Sequence, residues 1–237
     1  MVGGAPWEPG KALGGIHRGR KPWRDGVVPT PLLLATTNAD KLERLRWLLA
    51  GLPYRLLAPA DLAPPIRTEA SEEEGDFAAN AAQKALQWSA AAGGMLTLAS
   101  DGGMAIPALG DRWDALRTRR QAGIAATDAD RIHHLLDLMH GLRGEDRRVV
   151  WHEAIALARA GVLLSVWVEE GDGGLVIKDD PPDSTAEQGF WTERVRWSPA
   201  LGKRLCLLSE QEREQLNDVW PRLRSRIHAA LPTLMGE

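Results

Sequence analysis

Cysteine is almost missing from this chain: Cys206 stands alone among 237 residues. A single cysteine excludes an internal disulfide framework and any zinc cluster built on thiolates. A general basic excess is missing as well, since the formal net charge is −3. That argues against a protein that coats nucleic acid. No apolar run approaches the length of a membrane span, and the start has no hydrophobic signal-peptide segment. These absences together point to a cytoplasmic protein with neither a nucleic-acid polymer nor a membrane as partner. Lysine is scarce, 6 against 23 arginines, so the place of each lysine carries information. What is present is ordinary: 44% hydrophobic and 26% charged residues, enough at this length for one large α/β domain or two lobes.

Residues 1–30 differ in character from the rest of the chain. They are rich in Gly and Pro, lack periodicity, and carry Lys11, Arg18, Arg20, Lys21 and Arg24 against Glu8 and Asp25. This reads as an extension, flexible or laid over the surface, with Trp7 and Trp23 as docking points. Gly4 to Lys11 imitates a phosphate-binding P-loop, but the spacing is one residue too long and no Ser or Thr follows Lys11.

The folded part, residues 31–237, opens with Leu32-Leu33-Leu34-Ala35, a run suited to a buried strand. Thr36-Thr37-Asn38 breaks it, and the spacing of Leu42, Leu45, Leu48 and Leu49 predicts a helix over 39–50. A strand, a small polar loop and a helix N-terminus form an anion-ready site, because unpaired N–H groups point outward there. Lys41 in the first turn opposes the helix dipole. It suits a loop that holds an anionic ligand, or else it is a solvated lysine beside a plain Asn38 cap. Tyr54–Leu57 predicts a second strand. An acidic run ending in Glu72-Glu73-Glu74 then leads to Asp76, an N-cap for a helix over 78–92. Asn80 and Lys84, four apart, share an edge of that helix.

Leu96 to Met104 is the stretch most suggestive of chemistry. An apolar run stops at Asp101, and Gly102-Gly103 follow. The expectation is a buried strand that ends at Asp101 and turns sharply at the glycines, presenting the acid to a ligand crevice. A plain hairpin turn is the competing reading. Mg²⁺ needs only one or two carboxylates, so Asp101 with Glu73 or Glu74 would suffice. Further on, the spacing predicts a helix over 128–142, where His133, Asp137 and His140 read as a solvated or partly packed group. Strands are predicted over 149–158 and 162–169 around a hairpin at Arg159-Ala160-Gly161, then a turn at Gly171-Asp172-Gly173-Gly174. Ser209-Glu210-Gln211-Glu212 is a capping box for a helix to Asn217, and Pro221 opens a last helix through Leu231.

Four pieces in order carry a resemblance. Ala35-Thr36-Thr37-Asn38-Ala39-Asp40-Lys41 is similar to Ala-Thr-x-Asn-x-x-Lys. Residues Glu73 to Ala85 resemble Glu-x-Gly-x-x-Phe-x-x-Asn-Ala-x-x-Lys-Ala with one residue deleted. Ser100-Asp101-Gly102-Gly103-Met104 stands where Asp-Asp-Ser-Gly-Leu would, and Leu109-Gly110 through Arg120 to Gly123 resembles a Leu-Gly segment closing on Ser-Ala-Arg-x-x-Gly. The patterns are those of the inosine triphosphate pyrophosphatase family, which hydrolyses deaminated or otherwise modified purine nucleoside triphosphates.

The resemblance implies an elongated mixed β-sheet flanked by helices, in two lobes with the active-site cleft between them. It implies Mg²⁺-dependent cleavage between the α- and β-phosphates, releasing monophosphate and pyrophosphate, in a homodimer. Asp101 would be metal ligand and proton acceptor, with Glu73, or Glu74 under a one-residue shift, completing the metal site. Lys41, Lys84 and Arg120 would neutralise the triphosphate; Thr36, Thr37, Asn38, Asn80 and the backbone at Gly102 would hold its oxygens. Phe190 would stack on the base and Glu193 would accept a hydrogen bond from it. Arg222 would stand for the arginine of a Ser-His-Arg triplet, and Arg213 for a substrate-binding lysine. The chain departs from the pattern at Ser100, which replaces the first aspartate, at Trp191, far bulkier than the glycine expected there, and at Pro221. Those departures keep two further readings open: a nucleotide-binding module with little catalysis, and a hydrolase of another phosphate ester on the same scaffold.

Overall fold

The computed structural model describes residues 29–66, 68, 75–178, 190–216 and 218–235. The Gly/Pro-rich extension lies outside them apart from Pro29 and Thr30, and Thr30 already opens the first strand. Three strands and two helices build the first half: β1 (Thr30–Leu34), α1 (Ala39–Leu49), β2 (Tyr54–Leu57), α2 (Phe77–Ala91) and β3 (Thr97–Ala105). After α3 (Asp128–Leu138) comes a long hairpin, β4 (Arg148–Arg159) and β5 (Val162–Val176). The chain closes with α4 (Trp191–Arg194), β6 (Arg196–Ser198), β7 (Lys203–Arg204), α5 (Glu210–Gln215) and α6 (Val219–Met235).

The seven strands among the described residues join one open sheet in the order β2-β1-β3-β4-β5-β6-β7. β2, β1 and β3 run parallel, linked by α1 and α2 as crossovers, and from β3 onward every pairing is antiparallel. β3 is the seam between the two halves. β1 pairs with it only at Leu33–Thr97 and Leu34–Leu98, whereas β4 pairs with it from Thr97 to Ala105. Beyond Leu98 the β1 side of β3 is therefore an open edge among the described residues.

Alternation of side chains across the sheet sorts the core. Leu32, Leu34, Leu98, Ile155 and Leu157 face α1 and α6, where Leu45, Leu48, Leu223 and Ile227 cover them. Leu33, Ala99, Ala154, Ala156 and Ala158 face α2, and the small side chains let Ala81, Ala85 and Trp88 settle close to the strands. A third cluster, Met104, Trp113, Ile132, Leu135, Val149, Trp191 and Val195, fills the far end of the hairpin beneath α3 and α4. These packed regions cover one open mixed sheet with flanking helices, as expected.

Four local expectations change. β3 does not end at Asp101, and Gly102-Gly103 do not turn; they remain in the strand, paired with Glu153 and His152 of β4. β5 likewise runs through Gly171 to Gly174 instead of turning, absorbing the irregularity as a register shift opposite Arg148 and Val150 and a positive φ of 80° at Gly174. A long antiparallel partner satisfies the backbone at both places, which outweighs local turn preference. α3 stops at Leu138, four residues early, while α6 continues past Leu231 through Pro232 to Met235.

Candidate functional site

The site begins where β1 ends. Asn38 caps α1 as its sequence predicts: its Oδ1 accepts the Lys41 N–H at 3.2 Å, and its own N–H donates to Thr36 Oγ1 at 3.2 Å. The loop Thr36-Thr37-Asn38 is thus folded back on itself above the open edge of β3, with the N-terminal N–H groups of α1 beside it. Lys41 is half-buried in the first turn.

Asp101 sits at the middle of β3, 7% exposed, on the α2 face. Two residues one turn apart on α2 hold it: Lys84 Nζ lies 2.6 Å from Oδ1, and Asn80 Nδ2 donates to Oδ2 at 3.1 Å. Asn80 is fully buried, and its own Oδ1 has no hydrogen-bond partner among the described residues. The helical spacing of Asn80 and Lys84 and the strand that carries Asp101 therefore converge on one carboxylate.

The two glycines serve close packing. Directly paired residues project to the same face, so Gly102 shares one face with Glu153 and Gly103 the other with His152. A β-carbon at 102 would stand 2.2 Å from Glu153 Oε2, and one at 103 would stand 2.2 Å from the Ala115 carbonyl oxygen. The second approach anchors the loop after β3, where Thr118 Oγ1 donates to Ala115 O at 2.7 Å and accepts the Met104 N–H at 3.2 Å. Arg120 lies two residues beyond, exposed on that anchored loop.

Glu153 is the residue that sequence reasoning passed over. It is 2% exposed, accepts the Trp151 Nε1–H at 3.2 Å through Oε2, and leaves Oε1 with no partner among the described residues. Burial pushes its carboxyl up to about 7; Lys41 and the Trp151 hydrogen bond work against this, and the Asp101 charge adds to it. A signal was available: Glu153 is the one acid in the predicted strand 149–158, on the same face as Ile155 and Leu157. Ser100, also on this face, is 5% exposed, and its Oγ has no partner among the described residues.

Along another flank of α1 lies a cavity of about 670 Å³, lined among others by Asp40, Arg44, Phe190, Glu193, Trp220 and Pro221. Glu193 is not left open to a ligand. Arg44 of α1 approaches Oε1 at 2.9 Å, and Arg213 of α5 grips both oxygens at 3.0 and 2.8 Å. Burial would raise its carboxyl, but the Arg213 hydrogen bond and the Arg44 and Arg213 charges hold it below the usual range. Arg44 also lies over the Trp220 ring, 5.3 Å from its centroid. Asp40 is raised by burial and by neighbouring Glu43 and Glu193. Trp191 points into the core beneath α3 and does not line the cavity, so its bulk leaves the cleft clear. Arg222 does not line that cavity: its Nε donates to Glu169 Oε2 of β5 at 2.9 Å, and a guanidinium N–H donates to the Glu170 carbonyl. It lines a second hollow of about 580 Å³ next to Trp151 and Arg196.

Glu73 and Glu74 lie outside the described residues. Among those described, no three His, Cys, Asp or Glu side chains gather as a metal cage, and His133, Asp137 and His140 form none. At this point β3 offers oxygen on both faces: the Asp101 carboxylate and the orphaned Asn80 Oδ1 on the α2 face, and the orphaned Glu153 Oε1 on the other. An all-oxygen set of this size suits Mg²⁺, which takes few protein ligands and keeps its waters.

An open mixed α/β sheet with polar groups converging on one strand edge is the class that fold and site define. Residues 32–180 match the sequence profile of the Ham1 family. The chain is 31% identical over 198 residues to the dITP/XTP pyrophosphatase of Thermus thermophilus, covering 84% of this chain and 90% of that one. It is 35% identical over 155 residues to the dITP/XTP pyrophosphatase of an Anaeromyxobacter species, covering 54% of this chain and 66% of that one. The HAM1 protein structure from Coxiella burnetii superposes with a TM-score of 0.69 at 23% identity, covering 86% of this chain and 99% of that one. The chain belongs to the Ham1 family.

Proposed function

We propose that this chain is a nucleoside-triphosphate pyrophosphatase that hydrolyses noncanonical purine nucleoside triphosphates such as dITP and XTP to monophosphate and pyrophosphate. The observation that carries the reading is the convergence of Lys84 and Asn80 on Asp101, because it joins two separate sequence motifs at one buried carboxylate. Relatives named dITP/XTP pyrophosphatase support it.

Mg²⁺ would be held by Asp101, with Glu73 or Glu74 as a second carboxylate, and when bound it supplies charge stabilisation to the phosphate oxygens. The chain's own groups do the rest. Thr36, Thr37, Asn38 and the N-terminal N–H groups of α1 bind phosphate oxygens, and Lys41, Lys84 and Arg120 balance their charge. Asp101 accepts the proton of the attacking water as the α,β-phosphoanhydride bond breaks and pyrophosphate leaves. The cavity between α1, α4 and α6 receives the base, with Phe190 and Trp220 as its aromatic surfaces. Because Glu193 is paired with two arginines, the hydrogen-bonding groups at that end are guanidinium donors, which suit the oxo groups of a deaminated purine. The homodimer and the cytoplasmic location belong to the same proposal; exposed Val162, Leu163 and Val168 on β5 offer apolar surface for a second copy.

A second reading, a nucleotide-binding module with little catalysis, is favoured by Ser100, which has no charge where the family motif has its first aspartate. One assay separates them: purified protein with Mg²⁺ and a panel of nucleoside triphosphates, following pyrophosphate release beside Asp101→Ala. The expected result is release from ITP and XTP, lost in Asp101→Ala. Equal turnover in that variant overturns the catalytic assignment, and saturable binding without release supports the module.

A further inference from the structure

Glu153 has no place in the motifs, yet its surroundings are built around it. It pairs with Gly102 across β3 and β4, and the missing side chain at 102 is what admits it. The carboxylate lies over the Gly102 α-carbon: a β-carbon there would be 2.2 Å from Oε2 and 2.6 Å from the carboxyl carbon. A side chain rooted on β4 thus delivers its charge to the space a β3 side chain would occupy, toward the open edge of β3. Lys41 and Asp101 both act on that charge. A buried carboxylate oxygen without a donor is costly, and Glu153 Oε1 is one. Ser100 Oγ, on the same strand face two residues from Gly102, is another buried oxygen with no partner among the described residues. The two positions of the Asp-Asp-Ser-Gly pattern whose side chains are cut back here, Ser100 and Gly102, are the two on the strand face that carries this carboxylate.

We propose that Glu153 supplies, from β4, a carboxylate ligand of the divalent-cation site, in place of the acid that position 100 lacks. The inference rests on the pyrophosphatase reading of the same site. Its chemistry is that of a hard oxygen ligand: Oε2 is oriented by Trp151, and Oε1 is the oxygen that meets the cation or one of its waters.

Mn²⁺ serves as the probe, with free Mn²⁺ followed by its electron paramagnetic resonance signal in the absence of nucleotide. The proteins compared are the full chain, Asp101→Asn, Glu153→Gln, and Glu153→Gln with Ser100→Asp. Glu153→Gln keeps the shape and removes a buried charge, and near-ultraviolet circular dichroism in chelator verifies its fold. The expected result is a loss of Mn²⁺ affinity of about tenfold or more in Glu153→Gln, mostly regained when Ser100→Asp is added. Affinity unchanged in Glu153→Gln but lost in Asp101→Asn overturns this inference and leaves the pyrophosphatase reading intact. A tenfold loss that Ser100→Asp does not restore also overturns it, since the loss then comes from repacking around Gly102. A full-length chain without Mn²⁺ binding at millimolar concentration overturns the inference together with the metal-dependent reading.

Discussion

Lys84 Nζ stands 2.6 Å from Asp101 Oδ1 with both side chains about nine-tenths buried, so α2 and β3 share one ion pair. In a buried pair the partners depend on each other more than the fold depends on the pair, because either charge left alone in the interior is expensive. Lys84→Met should lower unfolding free energy by roughly 3 kcal/mol. Adding Asp101→Asn to that variant should recover more than half of the loss. Urea denaturation of the two single variants and the double variant checks this, and additive losses would show that the two side chains act independently.

The glycines of β3 predict a ranking. At 103 the obstacle is backbone, the Ala115 carbonyl; at 102 the nearest obstacle is a side chain, Glu153, with the His152 carbonyl at 2.8 Å behind it. Gly103→Ala should therefore cost more than Gly102→Ala, with the latter on the order of 1–3 kcal/mol. Glu153→Ala should relieve part of the cost at 102 and none of it at 103. Thermal melts of the three single variants and the two double variants test the ranking.

Glu153 and Glu193 make opposite contributions to the pH dependence of stability. The carboxyl of Glu153, raised from 4.5 to about 7, binds its proton more tightly in the folded protein than in the unfolded chain. Stability therefore falls as pH rises from about 4.5 to 7, by a total of about 3 kcal/mol. In metal-free buffer Glu153→Gln should lose that decline and exceed the parent protein at pH 8. Glu193, held low by Arg213 and Arg44 against its burial, contributes stability above its unfolded value and loses it as pH falls. Glu193→Gln should accordingly lower stability at pH 7 and shrink the loss on acidification. Denaturant midpoints from pH 3.5 to 8 separate the two slopes.

Arg213 ties α5 to α4 through both oxygens of Glu193 and also donates to the Leu205 carbonyl at 2.8 Å. α5 has only six residues, held otherwise by the capping box at Ser209 and the Lys203–Glu212 ion pair. Arg213→Ala should cost about 2 kcal/mol, and hydrogen exchange should speed up at α5 before the rest of the sheet. Uniform acceleration across β3 and β4 would mean that the pair supports the whole fold instead.

Much of the frame was legible because its cues are local. The Asn38 cap, the Asp76 cap, the Ser209 capping box and the leucine spacing of α1 each write their element into a few residues. Asn80, Lys84 and Asp101 could be grouped because helical spacing and strand position are both short-range properties. Gly102-Gly103 misled for the complementary reason: a pair of glycines looks like a turn until a partner strand more than 40 residues away claims its backbone. Glu193 and Arg222 were legible as charged residues, but their partners, Arg44, Arg213 and Glu169, come from distant elements and decide what each is free to do. Glu153 was hidden the same way, since only the fold lays position 153 over position 102.

The seating of Glu153 over Gly102 also limits how such a site can change. With a side chain at 102, a glutamate seated as Glu153 is here meets an atom 2.2 Å away, so this seating of the carboxylate depends on the glycine. Placing a serine at 102 would press on the Glu153 carboxylate and also on the His152 carbonyl 2.8 Å away. Positions 102 and 153, far apart along the chain, therefore share one space, and a library that varies 102 has to vary 153 with it to relieve the contact with the carboxylate.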